Sequence, residues 1–248
     1  METWKFFDIT HKEHIICNPT SLEKFQRLIS LLRLSPDDKV LELATGKGEF
    51  LVRLAEQYGV GGIGVDISPY CIRDAQAKLA ARAPHAPITF LEMGGADYQP
   101  DAPASFDLTV CLGASWIFDG HAGTLQALTG FTKPGGWIVV GEPYFRQEPD
   151  PAYLAAAGFA ADTFGTHLQN VLAGQDLGLK LMTTLVSNLD EWDVYEGLQW
   201  AASENYALEH PDDPDVPELL ARIRQPKIEY LQYGRNTLGW AIYVFRKV

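Results

Sequence analysis

The sequence predicts an α/β fold, a largely parallel sheet flanked by helices. Three observations carry that reading. Short apolar runs alternate with helical patterns from Lys39 to Val140, the first run feeds a glycine-containing loop that opens a helix, and turn residues punctuate the series. At 248 residues, 46% hydrophobic and 21% charged, the chain is long enough for one large domain, and it has none of the bias of disordered, collagen-like or low-complexity sequences.

Taken in order, a polar, His-containing segment without a strand signal leads into residues 21–32, an amphipathic helix with Leu22, Phe25, Leu28, Ile29 and Leu32 on one side. Strands are expected at 40–43, 63–65, 88–91, 108–112 and 137–140, with helices at 49–58, 69–82 and 123–131 between them. Ser68-Pro69 supplies an N-cap followed by proline at the first helical position. Pro134-Gly135-Gly136 marks the turn into the fifth strand. A helix at 166–176 and strands at 180–186 and 239–245 follow. The last two strands are separated by two helical patterns, 191–208 and 216–233, broken at His210-Pro211-Asp212-Asp213-Pro214.

Charge and cysteine content narrow the function. A formal net charge of -12 repels polyanions, so no nucleic-acid partner is expected. Cys17, Cys71 and Cys111 are odd in number and widely spaced, which argues against a disulfide framework or a zinc site and fits a reducing cytoplasm; no metal is expected. The first dozen residues carry charges rather than an apolar export signal, and no uncharged run approaches the roughly 20 residues of a membrane span, so a cytoplasmic protein without a membrane partner is expected.

The loop after the first strand, Glu42-Leu43-Ala44-Thr45-Gly46-Lys47-Gly48, combines a strand end, small residues and a helix start, where ligands of open α/β sheets bind. Asp66 ends the second strand near the position where a carboxylate accepts nucleotide ribose hydroxyls. A dinucleotide fingerprint would need a third glycine, where Leu51 stands, and no Gly-Lys-Ser/Thr is present for phosphates. Glu42 and Asp66 instead put two carboxylates near a ligand with cationic groups, a description that S-adenosyl-L-methionine meets.

These residues resemble class I S-adenosylmethionine-dependent methyltransferases over most of the chain from Lys39 onward. The loop of residues 42–48 looks like the family's first motif and Asp66 like its ribose-binding acid. Phe106-Asp107-Leu108-Thr109-Val110-Cys111 looks like its fourth-strand motif, and Lys133-Pro134-Gly135-Gly136-Trp137 like the turn before its fifth strand. A closer resemblance is to a group of little-characterised bacterial small-molecule methyltransferases, through His14, Asn18-Pro19, residues 113–116, residues 141–144 and Trp192-Asp193-x-Tyr195-Glu196. The resemblance implies a Rossmann-like seven-stranded mixed sheet, last strand antiparallel, with helices on both faces. It places residues 1–248 in a single methyltransferase domain, with an N-terminal cover at 1–35 and a helical cap inserted at 189–236.

For the cofactor, the resemblance implies Glu42, Ala44, Thr45, Gly46 and Gly48 around the aminoacyl part, Asp66 on the ribose, Ile67 beside the adenine and Cys111 near the methionine moiety. Ala44 stands where the family usually has glycine, and Gly94 where it usually has an adenine-contacting carboxylate, so Asp97 or the backbone of Gly95 and Ala96 takes that part. Methyl transfer needs an aligned nucleophile and, for acidic acceptors, a base. Glu142, Tyr144 and His14 are the candidates. Trp116, Trp192, Tyr195 and Arg235 are the candidate substrate contacts, with Trp192, Tyr195 and Gln199 on one helix face.

The expected activity is methyl transfer to a small-molecule nitrogen, oxygen or sulfur nucleophile. Acceptor atom and oligomeric state stay open at this stage. The competing readings are an NAD-dependent oxidoreductase and a protein that uses S-adenosylmethionine as an effector or for other chemistry.

Overall fold

The computed structural model describes residues 1–248. Seven strands form one sheet: β1 (Lys39–Leu43), β2 (Gly61–Asp66), β3 (Ile88–Glu92), β4 (Phe106–Leu112), β5 (Thr132–Phe145), β6 (Lys180–Val186) and β7 (Leu238–Arg246), in the spatial order β3-β2-β1-β4-β5-β7-β6. The first five pair in parallel, and β7 runs antiparallel to both β5 and β6. Chain order reverses between β1 and β4. Their carboxyl ends therefore diverge into loops that leave the sheet in opposite directions, opening a crevice.

Helices α1 (Thr3–Thr10), α2 (Leu22–Leu32), α3 (Glu49–Tyr58), α4 (Pro69–Arg82), α5 (His121–Phe131), α6 (Pro151–Ala157), α7 (His167–Asp176), α8 (Leu189–Glu209) and α9 (Val216–Glu229) surround it. Sheet residues 40 to 43 are all buried because both faces are covered, which is why the strands read as continuous apolar runs. One face packs Phe25, Leu28 and Ile29 of α2 and Phe50, Leu51 and Leu54 of α3 on Val40, Val110 and Val139. The other packs Leu125 and Leu128 of α5 on Leu41, Val140 and Tyr243.

Several expected elements come out longer. β5 starts at Thr132, which pairs with Phe106; residues 133–136 bulge out, and pairing resumes at Trp137 with Leu108. It then continues through Phe145 because β7 pairs with it along its whole second half. Two helices had no counterpart in the sequence reading. Helix α1 is only eight residues long, capped by the Glu2 carboxylate on Trp4 N and Lys5 N, and is held by packing of Phe6 and Ile9 on Leu219 and Ile223 of α9. Helix α6 carries readable local signals, an Asp150 cap, Pro151 in the first turn and a left-handed Gly158 at its end.

Helices α8 and α9 stand between β6 and β7, followed by a wider turn at Tyr230–Gly234 that delivers the chain to β7. Asn188 and Glu191 form a reciprocal capping box at the start of α8, and Glu191 also pairs with Lys24 of α2. Trp240 of β7 lies flat under two glycines. A Cβ on Gly141 would come within 2.5 Å of its ring, and one on Gly113 within 3.0 Å. Gly141→Ala is expected to destabilise the protein by about 1–3 kcal/mol through overpacking, read as a lower urea midpoint with an unchanged slope; an unchanged midpoint would show that the ring can shift aside.

Candidate active site

The loop from β1 to α3 is built on alternating left-handed residues, Ala44 (φ 52), Gly46 (φ 54) and Gly48 (φ 69). Along that path Thr45 N donates to Val65 O, Gly46 N to Asp66 Oδ2 and Gly48 N to Thr45 O. At Ala44 it costs about 1–2 kcal/mol relative to an ordinary conformation. Gly48 has a second reason to be glycine, because a Cβ there would stand 2.8 Å from both Ala75 Cβ and Phe90 Cζ. Its place is thus in the packing of α3 against α4 and β3, outside the cavity described next.

A cavity of about 470 Å³ lies over the carboxyl ends of β1, β2 and β4. Its floor is Glu42, Ala44, Thr45, Gly46 and Asp66, five of the expected cofactor contacts. The Asp66 carboxylate is fixed by two backbone donors, Gly46 N at 2.8 Å and Ser68 N at 2.9 Å. Burial raises the Asp66 pKa, and these N–H groups hold it down. Glu42 accepts the Thr45 hydroxyl at 2.6 Å, and full burial pushes its pKa up to about 8.

Ile67, 54% exposed, and the turn Gly95–Asp97 lie beyond the cavity, at the open ends of β2 and β3, which Met93 N to Asp66 O (3.0 Å) holds together. Ala96 and Asp97 are exposed there, and the Asp97 carboxylate folds back against Gly94. Cys111 is fully buried within β4, its thiol pushed to about 12 by burial. The cavity is met instead by the next residues, Leu112, Gly113 and Ala114.

The acceptor candidates separate in space. Trp116 reaches the cavity mouth, 73% exposed. Glu142 and Tyr144 were expected past the end of the fifth strand; they lie inside it, paired with Ala241 and Gly239 of β7. Glu142 is buried with Oε2 unpartnered, and burial, opposed by the Ser115 hydroxyl, raises its pKa to about 7. Tyr144 packs over Gly239 with its ring centroid 5.1 Å from that of His167, away from the cavity. Arg235 is already engaged by Asp193 at 2.9–3.0 Å, joining α8 to the turn before β7. Trp192 stacks on Tyr230 in the α8–β7 packing.

His14 lies one layer behind the wall, its Nε2 2.9 Å from the Tyr195 carbonyl. His11 is the histidine that lines the cavity, with Nε2 3.2 Å from the Tyr195 hydroxyl and Nδ1 2.9 Å from Thr10 Oγ1. Burial, with His14 and Lys47 nearby, lowers its pKa to about 3. The wall residues that sequence reasoning missed come mainly from this segment: Trp4, Phe7, Asp8, His11, Cys17 and Asn18. Their signal was the aromatic spacing of α1 next to Asn18-Pro19. Lys47 Nζ clasps the segment by donating to His11 O (2.7 Å) and Lys12 O (3.2 Å).

Residues 40–136 match the family described as a methyltransferase domain. A methyltransferase from Geobacter sulfurreducens, solved in complex with S-adenosylhomocysteine, is 30% identical, with 98% of each chain covered and a TM-score of 0.91. The chain belongs to the S-adenosylmethionine-dependent methyltransferases. A second methyltransferase of the family, from Thiobacillus denitrificans and also solved with S-adenosylhomocysteine, is 30% identical over the full length of both chains, TM-score 0.90. The uncharacterised Escherichia coli protein YjhP is 31% identical over 245 residues, 98% of each chain, and its crystal structure superposes with a TM-score of 0.90. The methyltransferase sheet, with its antiparallel last strand, is thus the family fold. No helix is long and apolar enough to cross a membrane.

The raised pKa of Glu42 has a consequence for this methyltransferase without ligand. The folded state binds that proton more tightly than the unfolded chain, whose carboxylates sit near 4.5, so the contribution to stability is complete below pH 4.5 and is lost as pH rises towards 8. Glu42→Gln should melt at a nearly constant offset from wild type below about pH 4.5 and gain on it steadily from there to about pH 8. Parallel melting profiles across that range would contradict the assignment.

Proposed function

We propose that the protein binds S-adenosylmethionine in the cavity over β1, β2 and β4 and transfers its methyl group to a small-molecule nucleophile. The observation that carries this reading is the pair of acids in the cavity floor. Asp66 is held in place by Gly46 N and Ser68 N, leaving lone pairs on both oxygens for ribose hydroxyls. Glu42 is buried without a cation, so a positively charged ligand supplies the charge it lacks. The left-handed loop brings the Ala44, Thr45 and Gly46 backbone close enough to hold an amino-acid moiety. Ile67, Gly95 and Ala96, at the neighbouring strand ends, would flank the adenine, with Asp97 at its edge.

When bound, S-adenosylmethionine supplies a methyl group activated by the sulfonium. The chain's part is alignment and exclusion of water. Trp4, Phe7 and Ile15 from the N-terminal cover, with Trp116 across from them, give the remaining wall an apolar character suited to a small organic acceptor. Residues 1–248 would act as one methyltransferase domain, the cover at 1–35 closing over the acceptor and the cap at 189–236 backing the cover through Tyr195. An enzyme of this acidity, with three free cysteines, suits the cytoplasm.

Protein stripped of copurified ligand should bind S-adenosylmethionine and S-adenosylhomocysteine in a calorimeter. Asp66→Ala should weaken both about tenfold to hundredfold, the range for hydrogen bonds to a charged group, with the fold retained by circular dichroism. Absence of binding by the wild type would overturn the proposal.

A further inference from the structure

Six buried side-chain polar atoms have no partner in the protein: His14 Nδ1, Asn18 Oδ1, His121 Nδ1, Glu142 Oε2, Ser187 Oγ and Trp192 Nε1. Of these residues only Asn18 belongs to the cavity wall, where it is 8% exposed. Leaving such a group unpaired costs about 1–3 kcal/mol. Asn18 Oδ1 is closed off as it stands, and because the residue borders the cavity, a turn of its amide is what brings the oxygen to a partner arriving there.

Its position is defined. Asn18 Cβ lies 3.9 Å from where a Cβ on Gly113 would stand, and Cys17 Sγ 3.8 Å from where one on Gly46 would stand. The dipeptide therefore bridges the loops after β4 and β1. It is anchored through Thr20, whose N–H donates to Asn18 O (2.8 Å) and whose hydroxyl accepts from Trp240 Nε1 (2.9 Å). In the sheet order β2-β1-β4, a ligand with its ribose at Asp66 and its amino acid over the β1 loop directs its reactive methyl toward β4, where Gly113 and Asn18 stand. This step rests on the cofactor placement proposed above.

We infer that Asn18 reads the acceptor: its amide oxygen accepts a hydrogen bond from the N–H of the attacking atom, and the acceptor is a neutral amine with an apolar body. A nucleophile keeps its lone pair for the methyl carbon and has only hydrogens to offer the protein. With no protein partner, the amide is free to turn its oxygen to them. An anionic acceptor finds no counter-charge, because Lys47, the only lysine or arginine in the wall, is engaged by His11 O and Lys12 O, while Asp8, Glu42, Asp66 and Asp74 surround the space. An alcohol would need a base, and none in the wall is free for it: His11 is kept too weak a base by burial, Glu42 is engaged by Thr45, Asp66 by Gly46 N and Ser68 N, and Asp8 and Asp74 by Arg73. An amine can shed its extra proton to water before it binds: as the neutral base its lone pair forms the N–C bond while the C–S pair passes to sulfur, and the resulting ammonium gives its proton to water.

Sinefungin, which carries an amino group in place of the transferred methyl, tests the position. Calorimetry on wild type, Asn18→Leu and Asn18→Asp compares it with S-adenosylhomocysteine. Asn18→Leu should reduce the preference for sinefungin about tenfold, the effect of one hydrogen bond to a charged group, and leave S-adenosylhomocysteine within threefold. Asn18→Asp should keep or increase that preference. Equal loss of both ligands in Asn18→Leu, or loss of neither, overturns the inference, whereas failure of the wild type to bind either sinks the cofactor reading itself. With S-adenosylhomocysteine saturating, phenethylamine should raise the melting temperature and phenylacetate should not; protection by phenylacetate, or by neither, overturns the amine assignment.

Discussion

The Asp66 carboxylate, bonded to Gly46 N and Ser68 N, holds the site together. One side chain at the end of β2 fixes the bend of the neighbouring β1 loop and the entry of α4. It braces the left-handed run from Ala44 to Gly48, together with Thr45 N on Val65 O and Lys78 Nζ on Lys47 O, in a conformation that costs about 1–2 kcal/mol at the alanine alone. The same carboxylate keeps free lone pairs toward the cavity. Loop geometry and the cavity floor therefore depend on the same atoms, and changes at Asp66 affect both.

Around that brace the cavity is closed by a segment that belongs to no strand. Residues 1–20 cross the carboxyl edge of the sheet and are tied down at three kinds of contact. Lys47 holds the carbonyls of His11 and Lys12, α8 holds the two histidines through Tyr195, and α9 receives Phe6 and Ile9. The cover and the helical pair α8–α9 are mutually dependent, since α1 is too short to persist without packing. The cavity wall and its backing are thus assembled from parts of the chain far apart in sequence.

The electrostatics follow from burial. Glu42, Glu142 and Glu196 all have carboxyl groups pushed up, to about 8, 7 and 7, by desolvation. Glu42 lines the cavity, whereas Glu142 is enclosed by β7, so the same shift has different consequences. Glu42 meets whatever enters the cavity, whereas the sheet itself blocks approach to Glu142. The net charge of -12 is otherwise a surface property, with pairs such as Arg224 and Glu204 largely in solvent.

Local and periodic features were legible in the sequence. Helices Glu49–Tyr58 and Pro69–Arg82 and strand Lys180–Val186 have the bounds that apolar periodicity and caps predict, and the loop with Asp66 twenty residues on identified the crevice. What the sequence could not show is which residues a distant partner covers. β5 extends past Val140 only because β7 pairs with it, which buries Glu142 and Tyr144 inside the sheet. His11 rather than His14 meets the cavity because α1 must pack its apolar face on α9. Asn18 is distinguished by the absence of a partner, a property defined only once every neighbour is in place. Hydrophobic period and turn chemistry act within a few residues and determined the family architecture, whereas pairing and burial between remote segments decided which side chains line the cavity.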